Sequence, residues 1–184
     1  MMTDLKESAS QTAGPYVHIG CVPSFAGLRR MYNGHDLGAT MIQGDVAGQR
    51  IVLTGCVYDG DGAALTDALI EIWQAGPDGG FTTEGFSNWG RQPSHADTGQ
   101  FQFETLRPGR IGNQAPHILL WIVARGINLG LTTRIYFPDE DNSADPVFAL
   151  AGNRASTMIA VQTDTGYHTD IYLQGPNETV FFDV

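Results

Sequence analysis

Alternation of apolar and polar residues sets in at Ile51 and organises the chain from there onward. Ile51–Tyr58 alternates and is rich in β-branched residues, and Asp59-Gly60-Asp61-Gly62 after it is a turn sequence, which together predict a strand closed tightly. Ala68–Gln74 alternates again, with Leu69, Glu71 and Trp73 on one face and Ile70 and Ile72 on the other, before the Gly/Pro-rich stretch Gly76–Gly80. Gln100–Thr105 opens on Thr98-Gly99, puts Phe101 and Phe103 on one face, and stops at Pro108-Gly109. His117–Ala124 is a nearly continuous apolar run, which predicts a strand covered on both sides, and Leu131–Phe137 is a further strand ended by Pro138. Asp139–Arg154 reads as an acidic loop with one helical turn near Val147–Leu150. Thr157–Gln162 and Tyr167–Leu173 are late strands, and Asn177–Val184 a tail. About seven short strands with no helix beyond a couple of turns predict an all-β fold, an antiparallel β-sandwich.

Residues 1–50 differ. They carry Gly14-Pro15-Tyr16, Val22-Pro23, Asn33-Gly34 and Gly38 with only weak periodicity, so they form a long, mostly irregular arm ahead of a sandwich over 51–184. An arm of this length wraps its own sheet or a neighbouring chain.

Composition narrows the function. Ten Lys+Arg against 20 Asp+Glu give a net charge of −10, which repels phosphate backbones and anionic lipid and argues against nucleic acid or membrane as partners. The longest apolar run, Ile118–Ala124, is far below the roughly 18–20 residues that span a bilayer, and Met1–Tyr16 is polar without a signal-peptide core. Cys21 and Cys56 form no C-x-x-C pair and read as idle thiols. A soluble cytoplasmic protein is the expectation.

Chemistry-bearing side chains are sparse. A His-x-His on one strand face would be a metal pincer, but two residues after His117 stands Leu119. His117 then reads as a hydrogen-bonded core histidine. His168 beside Asp170 reads as a surface pair, and His95 near Asp97 as a turn hydrogen bond. The run Asp139-Glu140-Asp141 to Asp145 lacks the ligand spacing of a calcium loop.

Leu53-x-Gly55-x-Val57, Gly62, Leu65, Ile70-Glu71-Ile72-Trp73-Gln74-Ala75 and Gly79-x-Phe81 resemble the strand block of the intradiol ring-cleavage dioxygenases, non-haem ferric enzymes that open catechols between their hydroxyls. Asp97-Thr-Gly-Gln-Phe101-Gln-Phe103-Glu-Thr-Leu-Arg-Pro-Gly109 resembles the next block. Tyr167-His-Thr-Asp170-Ile-Tyr-Leu-Gln-Gly175 with Thr179-Val-Phe-Phe182 resembles the last strand and tail. Within that family Gln11–Gly20 and Leu131-Thr-Thr-Arg134-Ile-Tyr136-Phe137-Pro138 are similar to the alpha side of the protocatechuate 3,4-dioxygenases, which pair homologous alpha and beta chains.

The resemblance implies a sandwich of the intradiol type and four iron positions, two tyrosines and two histidines, phenolates being hard donors that favour the ferric state. In this chain those positions hold Phe81, Ile111, His117 and Leu119, and the arginine expected three residues before the first histidine is Gln114. The chain is therefore expected to bind no metal and to have no catalytic residue of its own. The resemblance implies that Fe(III) sits in a homologous beta subunit, and that alpha–beta units build a higher oligomer cleaving protocatechuate with O2 to 3-carboxy-cis,cis-muconate. It also implies that Thr12, Gly14, Pro15 and Tyr16 of the arm, with Arg134, line the substrate cavity at the alpha–beta interface. The competing reading is a transthyretin-like β-sandwich binding module without an enzymatic partner, which the missing ligands permit and the long arm disfavours. A homodimer cleaving hydroxyquinol or chlorocatechol is disfavoured by Phe81, Ile111 and Leu119.

Overall fold

The alternation in 50–58 becomes β1 (Arg50–Tyr58), which sends Ile51, Leu53 and Val57 inward and leaves Val52, Thr54 and Cys56 half-buried on the other side. The computed structural model describes residues 11–183. Seven further strands follow: β2 (Leu69–Gln74), β3 (Trp89–Pro93), β4 (Gln100–Leu106), β5 (His117–Val123), β6 (Leu131–Tyr136), β7 (Val161–Gln162) and β8 (Gly166–Tyr172). They make two four-stranded sheets, ordered β4-β1-β8-β7 and β3-β2-β5-β6. Between the sheets lie Leu53, Val57, Ile70, Ile72, Phe101, Phe103, Ile118, Leu120, Ile135 and Ile171. Each such large side chain contributes roughly 1.5–3 kcal/mol by leaving water.

The sandwich is of the expected class with one difference in direction: β1 and β8 run parallel, while the other pairs are antiparallel. Gly55 permits that pairing, since a Cβ there would collide with the Thr169 carbonyl and the Phe101 ring. Three other expectations are corrected. The segment expected as one strand over Thr157–Gln162 is divided: Thr157 and Met158 end a 3₁₀ turn (Gly152–Met158), Ile159 makes a lone parallel bridge to Tyr136, and Val161–Gln162 form the short β7. β3 was not foreseen. β5 is covered on one face only, because its Leu119 and Trp121 point to the outside of the sheet.

The arm is irregular apart from α1 (Pro15–Cys21) and a 3₁₀ turn at Met31–Gly34. Its far end joins the body, with Val22, Met41 and Val46 buried. After β6, α2 (Pro146–Leu150) is capped by Asp145, fully buried, whose carboxylate accepts from the Val147 and Phe148 N–H groups at 2.7 and 3.0 Å. It also accepts from Ala115 N–H at 2.8 Å, tying the approach of β5 to α2. Gln74 spans the two sheets, donating to the Leu106 carbonyl at 2.7 Å and accepting from Thr105 Oγ1 at 2.8 Å.

Candidate functional site

The outer face of the β3-β2-β5-β6 sheet carries two of the residues that the sequence placed at metal positions, His117 and Leu119. Register aligns Trp89, Trp73, Leu119 and Arg134 in one row across four strands. The next row is Arg91, Glu71, Trp121 and Thr132. Arg91 pairs with Glu71 at 2.6 Å and lies 4.8 Å over the Trp89 ring, whose Nε1 donates to Glu71 at 3.1 Å. Trp73 remains 48% exposed and Phe81 44%, so a half-open aromatic surface occupies this face.

Phe81 reaches it from the glycine loop, its ring 5.9 Å from that of Trp73 and 19° from parallel. Gly79 adopts a left-handed φ of 81°, and a Cβ there would run into the Arg110 carbonyl, so the loop packs directly on the Pro108–Ile111 turn. Ile111 then closes a tight turn, accepting from Gln114 N–H at 2.9 Å.

His117 is buried, its Nδ1 2.8 Å from the Ala115 carbonyl and its ring 5.7 Å from Tyr136. Burial pushes its pKa down; the Ala115 bond opposes this and the Arg134 charge adds to it. Burial also pushes the Tyr136 phenol up to about 12, against the hydrogen bond and charge of Arg134. Arg134 donates to Gln114 Oε1 at 2.7 Å and to the Tyr136 hydroxyl at 3.4 Å.

The arm residues meet the body elsewhere. Thr12 bonds the Ala124 carbonyl and Gly126 N–H just past β5, whereas Arg134 faces Leu119, five residues or roughly 16 Å back along the strand. Gly14 is the extended residue before α1, Pro15 begins the helix, and Tyr16 is 82% exposed. Gly14 and Pro15 share the wall of a cavity of about 290 Å³ with His18, Phe25, Asp67 and Arg125. Thus the structure brings Thr12, Gly14, Pro15 and Tyr16 together and leaves Arg134 with Gln114 and Tyr136.

The profile of the family described as Dioxygenase matches residues 23–175. The chain belongs to the intradiol dioxygenase family. It is 39% identical over 197 residues to the protocatechuate 3,4-dioxygenase alpha chain of Pseudomonas putida, covering 97% of each chain. It is 30% identical over 173 residues to the protocatechuate 3,4-dioxygenase beta chain of Burkholderia cepacia, covering 79% of this chain and 73% of that one. Among solved structures, the intradiol ring-cleavage dioxygenase from Tetranychus urticae shares the fold at a TM-score of 0.62 and 19% identity, over 75% of this chain and 87% of that one.

For an intradiol dioxygenase chain the face is chemically unusual. The family implies iron in its catalytic chain, but the side chains here do not make a ferric donor set. Phe81, Ile111 and Leu119 offer no donor atom, which leaves His117 as the one nitrogen donor of the four positions, and a single imidazole does not hold a ferric ion. Among the described residues no three His, Cys, Asp or Glu side chains converge as metal ligands, and no helix is long and apolar enough to cross a membrane. What the face can do is pack against a flat apolar surface, with Arg134 as a fixed cation at its margin. Sequence reasoning put Trp73 on a strand face but gave no surface role to it, Trp89 or Trp121; their outward alternation in paired strands was the available signal. It also passed over Asp145, whose acidic neighbours disguised a buried cap.

Proposed function

We propose that this chain is the noncatalytic alpha subunit of a cytoplasmic protocatechuate 3,4-dioxygenase, paired with a homologous beta subunit that holds the Fe(III). The observation that carries the reading is the loss of three of four donors at the metal positions: Phe81 stacked on Trp73, Ile111 in its turn and Leu119 opposite Arg134, in an otherwise retained dioxygenase framework. Near-full-length similarity to an alpha chain, arm included, supports it over a free-standing transthyretin-like module.

In this reading the partner's ferric ion supplies the activation of the catechol toward O2. The contribution of this chain is shape and exclusion of water. Gly14 lets backbone approach the substrate closely, Pro15 fixes the start of α1, and exposed Tyr16 adds an aromatic wall with a polar tip. Thr12 stands at the root of that wall. Arg134, held by Gln114, supplies positive charge near an anionic aromatic acid in an otherwise acidic chain. Orienting a bound reactant is worth rate by itself. Higher assembly follows from repetition of the alpha–beta unit.

The test is co-expression with a homologue that carries both tyrosines and His-x-His at the four positions. The pair is expected to co-purify as a coloured ferric complex that cleaves protocatechuate, with this chain alone colourless and inactive. Stoichiometric iron in the single purified chain would overturn the assignment.

A further inference from the structure

Thr12 uses its hydroxyl within this chain. Oγ1 donates to the Ala124 carbonyl at 3.3 Å, the carbonyl of its neighbour Ala13 lying farther at 3.5 Å, and it accepts from Gly126 N–H at 2.8 Å. The two partners flank Arg125 in the β5–β6 turn, where Gly126 holds a left-handed φ of 88° and Ile127 N–H bonds the same Ala124 carbonyl at 3.2 Å. A single side chain therefore joins residue 12 to residues 124 and 126 across the fold.

Among the described residues, His18, packed on Phe25, is the one buried side chain of α1. Behind Gly14, Pro15 and His18 lies the cavity of about 290 Å³ instead of close packing, and Tyr16 points to solvent. Gly14 makes no side-chain cap. Where packing is sparse, a pair of hydrogen bonds decides position.

We propose that Thr12 is a positioning residue: it pins the arm to the β5–β6 turn and acts on the substrate only through the place it gives Gly14, Pro15 and Tyr16. The proposal rests on the alpha-subunit reading for its link to substrate, but the pin itself is a property of this chain. The hydroxyl oxygen already serves Ala124 and Gly126 at once, and the paired variants below separate this role from direct contact.

Two variants test it in the alpha–beta complex. Thr12→Val keeps the volume and removes both bonds; Thr12→Ser keeps both. Expected for Thr12→Val is amide exchange at Gly126 faster by about five- to ten-fold, with tryptic cleavage at Arg29 or Arg30 accelerated in parallel. KM for protocatechuate should rise several-fold with kcat and iron content nearly unchanged, and Thr12→Ser should restore all of these. Raised KM with Gly126 protection intact would mean direct substrate contact and overturn the proposal, as would unaltered exchange with unaltered kinetics. If no active complex forms with the unmutated chain, the alpha-subunit reading fails, while exchange at Gly126 in the full chain still decides whether the pin exists.

Discussion

The Phe81 ring lies on Trp73 at a centroid separation of 5.9 Å, at the place where the family resemblance puts an iron-binding tyrosine. The ring has been kept as a packing element while its oxygen is missing. Phe81→Tyr should therefore preserve the stack and leave stability within about 0.5 kcal/mol, because the site is half-exposed and a hydroxyl there reaches water. It should bring no iron with it, since Ile111 and Leu119 still offer no donor. Phe81→Ala should cost about 1 kcal/mol. Urea unfolding and elemental analysis of the purified variants check both, and stoichiometric metal in Phe81→Tyr would refute the donor-set argument.

Asp145 supports three N–H groups at once: Val147 and Phe148 in α2, and Ala115 ahead of β5. Removing the carboxylate with Asp145→Ala orphans Ala115 N–H in a buried place and the Val147 and Phe148 N–H groups in a half-buried one, so a loss of about 2–3 kcal/mol is expected. Asp145→Asn retains an acceptor oxygen and should lose about half as much. Denaturant midpoints at constant m-value measure the difference. Equal effects of the two variants would show that the cap contributes little.

Most of this fold was legible because its strongest strands announce themselves locally. β1, β2 and β4 alternate cleanly and end in glycine or proline turns, and β5 and β6 are long apolar runs. β3 was invisible for a physical reason. Trp89-Gly-Arg-Gln-Pro has one large apolar residue, and its strand state comes from pairing: Trp89 opposite Trp73 and Arg91 bonded to Glu71. The parallel match of β1 with β8 was equally hidden, since strands over a hundred residues apart carry no local sign of direction. At the site, the lost ligands were readable residue by residue. The row Trp89–Trp73–Leu119–Arg134 was not, because register across four strands is a property of the whole sheet.

Arg134 donates to Gln114 at 2.7 Å and stands beside Leu119 at the margin of the aromatic face. If its charge attracts or orients an anionic substrate, Arg134→Ala in the alpha–beta complex should raise KM for protocatechuate by about ten-fold with the iron content intact. Arg134→Lys should recover part of this, because the charge remains but the planar donor geometry does not. Tyr16→Phe removes only a polar tip and should change turnover by a smaller factor. Steady-state kinetics with iron quantified on the same samples decide it. Unchanged kinetics in both Arg134→Ala and Tyr16→Phe would make strand and arm purely structural.

His117 gives the chain a pH-dependent stability whose sign follows from burial. Its pKa is lowered from the ordinary 6.5, first by desolvation and further by Arg134, against the Ala115 hydrogen bond and Asp145. His18, buried beside Phe25, is lowered in the same direction, again chiefly by desolvation. The folded chain thus holds fewer protons than the unfolded chain once pH drops below about 6.5, so stability is full above that value and declines as pH falls toward the folded-state pKa. The urea midpoint should accordingly fall between about pH 7.5 and pH 5.5, above the range where most carboxylates titrate. His117→Gln should lower the midpoint at both pH values yet flatten the dependence, leaving the share that belongs to His18. Equal slopes for the two proteins would mean that His117 is not held neutral in the fold.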